Sequence, residues 1–318
     1  DILIEKARQG VKGMVIYDHV GSFSTRSRFF GRMRDAGVDV HPFFRVTFPQ
    51  LANRINWRNH RKLVIIDRET GYIGGMNIAD RYTEKTGGKP AWRDTHFRLH
   101  GDIVESLILS FAIDWSFMGQ PLSYDDPLPK SASISNNVGM QLVSSGPVDT
   151  WDNLSLCFLK AISSAKKSIY LQTPYFLPTD ALQHALEAAA FAKVDVRIMI
   201  PRKCDSKLLQ LASFSFVTQC LKAGIKVYLY NPCMLHAKAL IIDEDLVAVG
   251  STNFDFRSFE NNFETTLFVY DREVNRKMRY IFFDDISLST KLTFSQWHSR
   301  PVLQRLFESV VRLLSPIL

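Results

Sequence analysis

The chain has 318 residues, 46% of them apolar, enough to bury a core in one bipartite domain or two smaller ones. A formal net charge of +7 and a pI near 9.2 favour anionic partners such as nucleic acid, acidic lipid headgroups or phosphorylated small molecules, without choosing among them. Cys157, Cys204, Cys220 and Cys233 form no CxxC pair, which argues against a disulfide framework or zinc site, and no apolar run approaches the roughly 18–20 residues of a spanning helix.

In chain order, the sequence opens in a helical pattern (Ile2, Leu3, Ala7) and continues into an apolar strand at 11–17. A second helix ends at Ala36-Gly37, the glycine suiting a left-handed helix terminus, and leads into Val38-Asp39-Val40. A strand is expected at 62–66, an apolar run of the length of a buried strand. Residues 119–139 hold three prolines, four serines, two asparagines and two aspartates, the composition of a linker. Beyond it the order returns: helix 181–192, strand 194–200, a helix ending at Ala223-Gly224, Ile225-Lys226-Val227, and a strand at 238–242. The second copy has an additional strand at 168–172, before its first helix. The first copy has no counterpart, so that strand is expected to lie outside this sequence. The first copy in turn carries about eleven extra residues, since Gly37 to His60 is 23 residues and Gly224 to His236 is 12. Residues 301–318 are amphipathic, with Leu303, Leu306, Phe307, Val310, Leu313, Leu314 and Ile317 at helical spacing between Arg305 and Arg312. That helix is expected to pack on the domain, with a membrane-surface helix as the alternative.

Strands alternating with helices predict an α/β fold of two homologous halves. Each would be a mixed, largely parallel sheet flanked by helices, with the site at their interface. The expected boundaries are 1–118 for the first half, 119–139 for the linker and 140–318 for the second half.

The chemistry lies in a motif that occurs twice. His60 is followed by Lys62 and Asp67, and His236 by Lys238 and Asp243, at the same spacing. Each copy runs on to a turn of small residues and an asparagine, Gly74-Gly75-Met76-Asn77 and Gly250-Ser251-Thr252-Asn253, and His to Asn is 17 residues in both. One such spacing arises readily by chance; two with identical continuations do not. A neutral imidazole is a nucleophile toward phosphorus, and a protonated one can donate to a leaving alkoxide. Lys62 and Lys238, two residues on, share a strand face with their histidines and suit the non-bridging phosphate oxygens. Asn77 and Asn253 add neutral donors to the phosphate. Asp67 and Asp243 stand at odd offset and are expected to be structural. Asp94, which follows His60 by 34 residues, and Glu264, which follows His236 by 28, are the candidates to orient the imidazoles. No metal or other cofactor is required, because two lysines supply the positive charge. His96 and His100 are placed at the site's edge.

The duplicated HxKx4D with its Gly-x-x-Asn turn resembles the phospholipase D superfamily. Longer stretches resemble bacterial cardiolipin synthases of the phospholipase D type: residues 40–59, 74–80, Trp92-Arg93-Asp94-Thr95-His96, Thr173-Pro174-Tyr175-Phe176, 250–264 and Arg312-Leu313-Leu314-Ser315-Pro316. The resemblance implies a phosphatidyltransferase that condenses two phosphatidylglycerol molecules to cardiolipin and glycerol through a phosphatidyl-histidine. It assigns His60 as nucleophile and His236 as acid/base, and leaves a hydrolytic phospholipase D, or a nuclease of the same superfamily, as alternatives. It also implies an anionic phospholipid substrate, a membrane surface as partner, no nucleic acid, and a place at the bacterial cell membrane, peripheral or facing the cytoplasm. The family's N-terminal membrane segments are expected to lie outside this sequence. The aromatic-basic segment 43–49 suits acyl chains or buried packing equally.

Overall fold

The structure, a computed structural model, describes residues 1–45, 57–84, 88, 90–121 and 137–315. The first half runs α1 (Ile2–Arg8), β1 (Met14–Asp18), α2 (Ser27–Asp35), β2 (Asp39–Phe43), β3 (Arg58–Asn59), β4 (Leu63–Ile66), β5 (Thr70–Gly74), a 3-10 turn (Asp80–Tyr82), β6 (His96–His100) and α3 (Ile103–Phe117). The second half begins with β7 (Gly139–Ser145), α4 (Asn153–Ser164), β8 (Ser168–Gln172), β9 (Phe176–Leu177), α5 (Asp180–Phe191), β10 (Asp195–Pro201), α6 (Lys207–Lys222) and β11 (Lys226–Tyr230). It continues through β12 (Ala239–Ile242), β13 (Leu246–Gly250), β14 (Phe254–Asp255), α7 (Phe256–Glu260), β15 (Asn262–Tyr270), α8 (Arg272–Ser287), β16 (Ser289–Lys291), α9 (Phe294–His298) and α10 (Val302–Arg312). The internal repeat is visible down to its helix ends: Gly37 and Gly224 follow α2 and α6 at φ 93° and 87°.

The second half is built on the sheet β16-β11-β10-β8-β12-β13-β15, with β7 alongside β15. Its strands β8, β10 and β11 pair in parallel, as helix crossovers require, whereas β12, β13, β15 and β7 pair antiparallel. The expectation of largely parallel sheets therefore holds only for the crossover strands. Short turns such as Asp243–Asp245, between β12 and β13, allow only antiparallel pairing. In the first half β1 and β2 form a parallel pair, and β4-β5-β6 an antiparallel sheet of their own. In the second half β8 pairs with both β10 and β12 and so joins the two parts. Among the described residues, no strand does the same between β1 and β4.

β8 is buried along its whole length, and the β12 side chains divide between the two faces of the sheet. Leu240 and Ile242 join the core beneath α4, α5 and α6, together with Leu154, Leu182 and Phe216. Ala239 and Ile241 join a second core to which the first half contributes Ile73, Leu99 and Leu107. The two halves thus share one hydrophobic core, which fixes their relative orientation. Most of the expected linker lies outside the described residues, and β7 starts at Gly139, where that segment ends. Of the aromatic-basic segment, Phe43 is fully buried against Phe117 and Phe263; residues 46–49 lie outside the described residues.

α10 departs from expectation in its orientation. It packs on the domain through Val311 and the polar residues Glu308 and Arg312, and turns its apolar stripe outward. Two interactions favour this face. Arg300 grips Glu308 with two hydrogen bonds of 2.7 and 3.0 Å, and Arg312 lies over Phe216 and donates to Gln219.

Candidate active site

Each motif histidine stands in the short segment before its strand, where a parallel bridge, two residues long before His60 and one before His236, delivers it to the other half. β3 pairs in parallel with β15, aligning Arg58 with Asn262 and Asn59 with Phe263. The next residues in that register are His60 and Glu264. The His60 backbone N–H donates to the Phe263 carbonyl at 3.0 Å, and His60 Nδ1 meets Glu264 Oε1 at 2.8 Å. The second half repeats the device. Leu235 bridges Arg93 in parallel, the His236 N–H donates to the Arg93 carbonyl at 2.7 Å, and His236 Nδ1 meets Asp94 Oδ2 at 2.8 Å.

The carboxylates singled out from the sequence therefore do sit on the imidazoles, but crosswise: each histidine takes the carboxylate of the opposite half. A carboxylate acceptor keeps the proton on Nδ1 and leaves Nε2 as the basic nitrogen, which in His236 has Lys238 Nζ 3.2 Å away. Asp94 and Glu264 are both fully buried. Glu264 accepts from the Ser251 hydroxyl and from Asn262 Nδ2 (3.0 Å), and Asp94 from the Thr95 N–H at 2.7 Å.

The lysines curl back over their histidines. Lys62 Nζ donates to the His60 carbonyl at 2.6 Å, and Lys238 Nζ to the His236 carbonyl at 2.5 Å, while lying 2.9 Å from His236 Nδ1. Burial pulls Lys62 down to about 7 and Lys238 to about 8, each against the pull of Glu264 and Asp94. Burial also lowers His60; Glu264 opposes this, while Lys62 and Lys238 add to it. His236 falls further, through burial and the charges of Lys238, Lys62 and His60. Burial raises Asp94 to about 6, even against Lys238. Glu264 ends below the ordinary carboxyl value, because His60 and Lys62 outweigh its burial. The imidazoles thus rest neutral beside two lysines whose charge reaches both of them, and an arriving anion would raise the basicity of all four groups.

The remaining sequence candidates take other places. The Asn77 amide donates to the Tyr82 hydroxyl at 3.3 Å, and the Asn253 side chain hydrogen-bonds Asp255. Asn253 Oδ1 is buried without a protein partner. Asp243 accepts from the backbone N–H groups of Lys166, Lys167 and Ser168 and anchors the start of β8. Asp67 occupies the matching left-handed turn, at φ 52° against 50° for Asp243. Burial, and then the charge of Lys62 nearby, lowers His96 to about 4. His100 pairs with Thr70 on an exposed surface.

Sequence reasoning did not single out Tyr82, whose hydroxyl lies 3.0 Å from His236 Nδ1. Nor did it single out Arg61, which donates to the Glu264 carbonyl and pairs with buried Asp114. Arg61 lies inside the motif, so its position was the available signal; Tyr82 carries no repeated context.

The family profile described as "Cardiolipin synthase, PLD-like domain" matches residues 158–286. The chain is 42% identical, over its whole length, to the major cardiolipin synthase ClsA of Bacillus subtilis (strain 168), of which it covers 66%. It is 40% identical, over 99% of its length, to the cardiolipin synthase of Staphylococcus aureus (strain Mu50), of which it covers 64%. The chain thus spans a little under two thirds of the length of these relatives. Among solved structures, the phosphatidylserine synthase of Haemophilus influenzae superposes with a TM-score of 0.65 at 14% identity, covering 100% of this chain and 92% of that one, a likeness of fold. With its two HxKx4D half-sites and 40–42% identity along its whole length, the chain belongs to the phospholipase D-like family of bacterial cardiolipin synthases.

Proposed function

We propose that this domain is a phosphatidyltransferase that joins two phosphatidylglycerol molecules into cardiolipin and glycerol. The observation that carries the reading is the crossed pair of histidines, each held at Nδ1 by a buried carboxylate of the other half. His60 Nε2 attacks the phosphodiester phosphorus and forms a P–N bond as the P–O bond to the headgroup glycerol breaks. His236, which takes up a second proton at Nε2 once the phosphodiester anion has bound beside it, gives that proton to the departing alkoxide and returns to the neutral Nδ1–H imidazole, so that glycerol leaves neutral. In the second step His236 takes the proton from a hydroxyl of the second phosphatidylglycerol, whose oxygen displaces His60 from phosphorus. His60 is assigned the attack because its ring is 25% exposed, against 7% for His236, and its carboxylate partner is the more fully braced.

Lys62 and Lys238 hold the non-bridging oxygens and offset the charge that builds in the transition state. Asn77 and Asn253 add donors to the phosphate, and Asp67 and Asp243 support the turns behind the strands. The names of the relatives favour transfer over hydrolysis. The test is product analysis by mass spectrometry after incubation with phosphatidylglycerol in the presence of EDTA. Cardiolipin and glycerol in equal amounts are expected; phosphatidic acid without cardiolipin, in detergent and in vesicles alike, would refute transfer.

A further inference from the structure

An amphipathic helix on a globular domain normally buries its apolar stripe. α10 does the reverse. Leu303, Leu306, Phe307, Val310, Leu313 and Leu314, on and just beyond the helix, are 81%, 60%, 57%, 52%, 80% and 41% exposed. They recur every three or four residues and form one stripe about 17 Å long at 1.5 Å per residue. The inward orientation of the polar face is fixed by named bonds. Glu308, the carboxylate of this helix, is 3% exposed and neutralised by Arg300. Arg312 is held on Phe216 and Gln219, and Arg305 donates to the His298 carbonyl.

The outer surface is therefore an uninterrupted hydrocarbon stripe with no exposed carboxylate on the helix, and Arg305 and Arg312 stand half-buried at its edge. Recognition surfaces for proteins are enriched in Tyr, Trp, Phe, Met and Arg; of these the stripe holds Phe307 alone, and the rest of it is aliphatic. An interface-lying helix instead combines a strong apolar face with positive charge, and the chain's net charge of +7 has the sign to complement an anionic surface.

We propose that the outer face of α10 is a membrane-docking surface, which lies in the headgroup region of an anionic phospholipid bilayer and holds the domain on it. The idea deepens the phospholipid reading of the active site and rests on it. α10 packs on α6, whose N-terminal end stands beside Asp205, the partner of the Tyr175 hydroxyl.

The test is co-sedimentation with vesicles of phosphatidylglycerol and phosphatidylcholine, and with vesicles of phosphatidylcholine alone. It compares the unaltered chain with the double variant Leu306→Glu/Phe307→Glu and the milder Leu303→Ser/Leu313→Ser. All four side chains are largely exposed, and an unchanged melting temperature verifies the fold. The unaltered chain is expected to bind, more strongly with phosphatidylglycerol present, and the glutamate variant to lose roughly tenfold or more in partitioning. Turnover of phosphatidylglycerol dispersed in detergent is expected to be unchanged in both variants, while turnover in vesicles falls with binding. Equal vesicle binding by all three proteins would overturn the proposal. So would a concentration-dependent dimer that the glutamate variant abolishes while vesicle binding persists, since the stripe would then be an interface between copies. Vesicle binding is scored without turnover, so absence of any lipid product in detergent would refute the catalytic reading and leave the docking result to stand separately.

Discussion

Gly75 and Ser251 hold equivalent places, one residue after Gly74 and Gly250, and their difference matches the carboxylates they face. A side chain at Gly75 would run into the Asp94 carboxylate. At Ser251 the longer Glu264 leaves room, and the hydroxyl becomes a hydrogen-bond donor to it. Gly75→Ala is therefore expected to displace Asp94 and unseat His236, lowering kcat about 100-fold with little change in melting temperature. Full activity in that variant would show that Asp94 does not position the ring. His60→Ala or His236→Ala should each lower turnover about 10⁴-fold, and the double variant little more, because the pair acts as a unit. The pH dependence follows from the directions of the shifts. His60 must be neutral to attack, and its value lies below 6.5, so the acid-side fall in kcat/KM should come below that pH. Lys62 and Lys238 lose their charge near 7 and 8, so kcat/KM should fall again as pH rises through that window. Lys62→Arg, which stays charged, should move the alkaline limb upward; an alkaline limb indifferent to it would remove Lys62 from the phosphate.

Among the elements, the segments that join the halves matter most. Arg93 donates to both oxygens of Asp285 on α8, at 3.1 and 2.8 Å, while its backbone receives His236 and its neighbour is Asp94. Asp285 is buried and also accepts from Gln172 at 2.7 Å. Asp285→Ala would leave the Arg93 guanidinium facing a buried hole and should cost about 3 kcal/mol or more in denaturant unfolding. Asp243→Ala should cost about 1–2 kcal/mol, by leaving the N–H groups that open β8 without their charged acceptor, while leaving the imidazoles in place. What the sequence made legible at this scale was the repeat: helices, strands and left-handed glycines recur at matching positions, because each half must satisfy the same local backbone chemistry. The crossed carboxylates were not legible. Glu264 lies 28 residues from His236 and 204 from His60, and nothing local says that a parallel bridge will join it to the distant one. The orientation of α10 was hidden for a related reason: periodicity shows that two faces differ, while the ion pair with Arg300 decides which is buried.

For the whole molecule, the duplicated unit brings its two motifs into one candidate site because the halves share a core and exchange the carboxylates that hold their histidines. Ile73, Leu99 and Leu107 pack with Val247, Val249 and Leu267, so movement of one half relative to the other would expose apolar surface and strip both histidines of their carboxylates together. Unfolding by denaturant should accordingly be one cooperative transition, with loss of activity and of core fluorescence at the same midpoint; separated midpoints would mean that the halves are independent. The proposed division of tasks rests on one imidazole being half-buried and the other buried across this junction. The most direct test of that assignment is to mix the protein with phosphatidylglycerol, quench in base within the first turnover, digest, and locate the modified residue by mass spectrometry. A phosphatidyl group is expected on the peptide carrying His60, and none in His60→Ala. An adduct on His236, or steady formation of cardiolipin without any adduct on histidine, would contradict it.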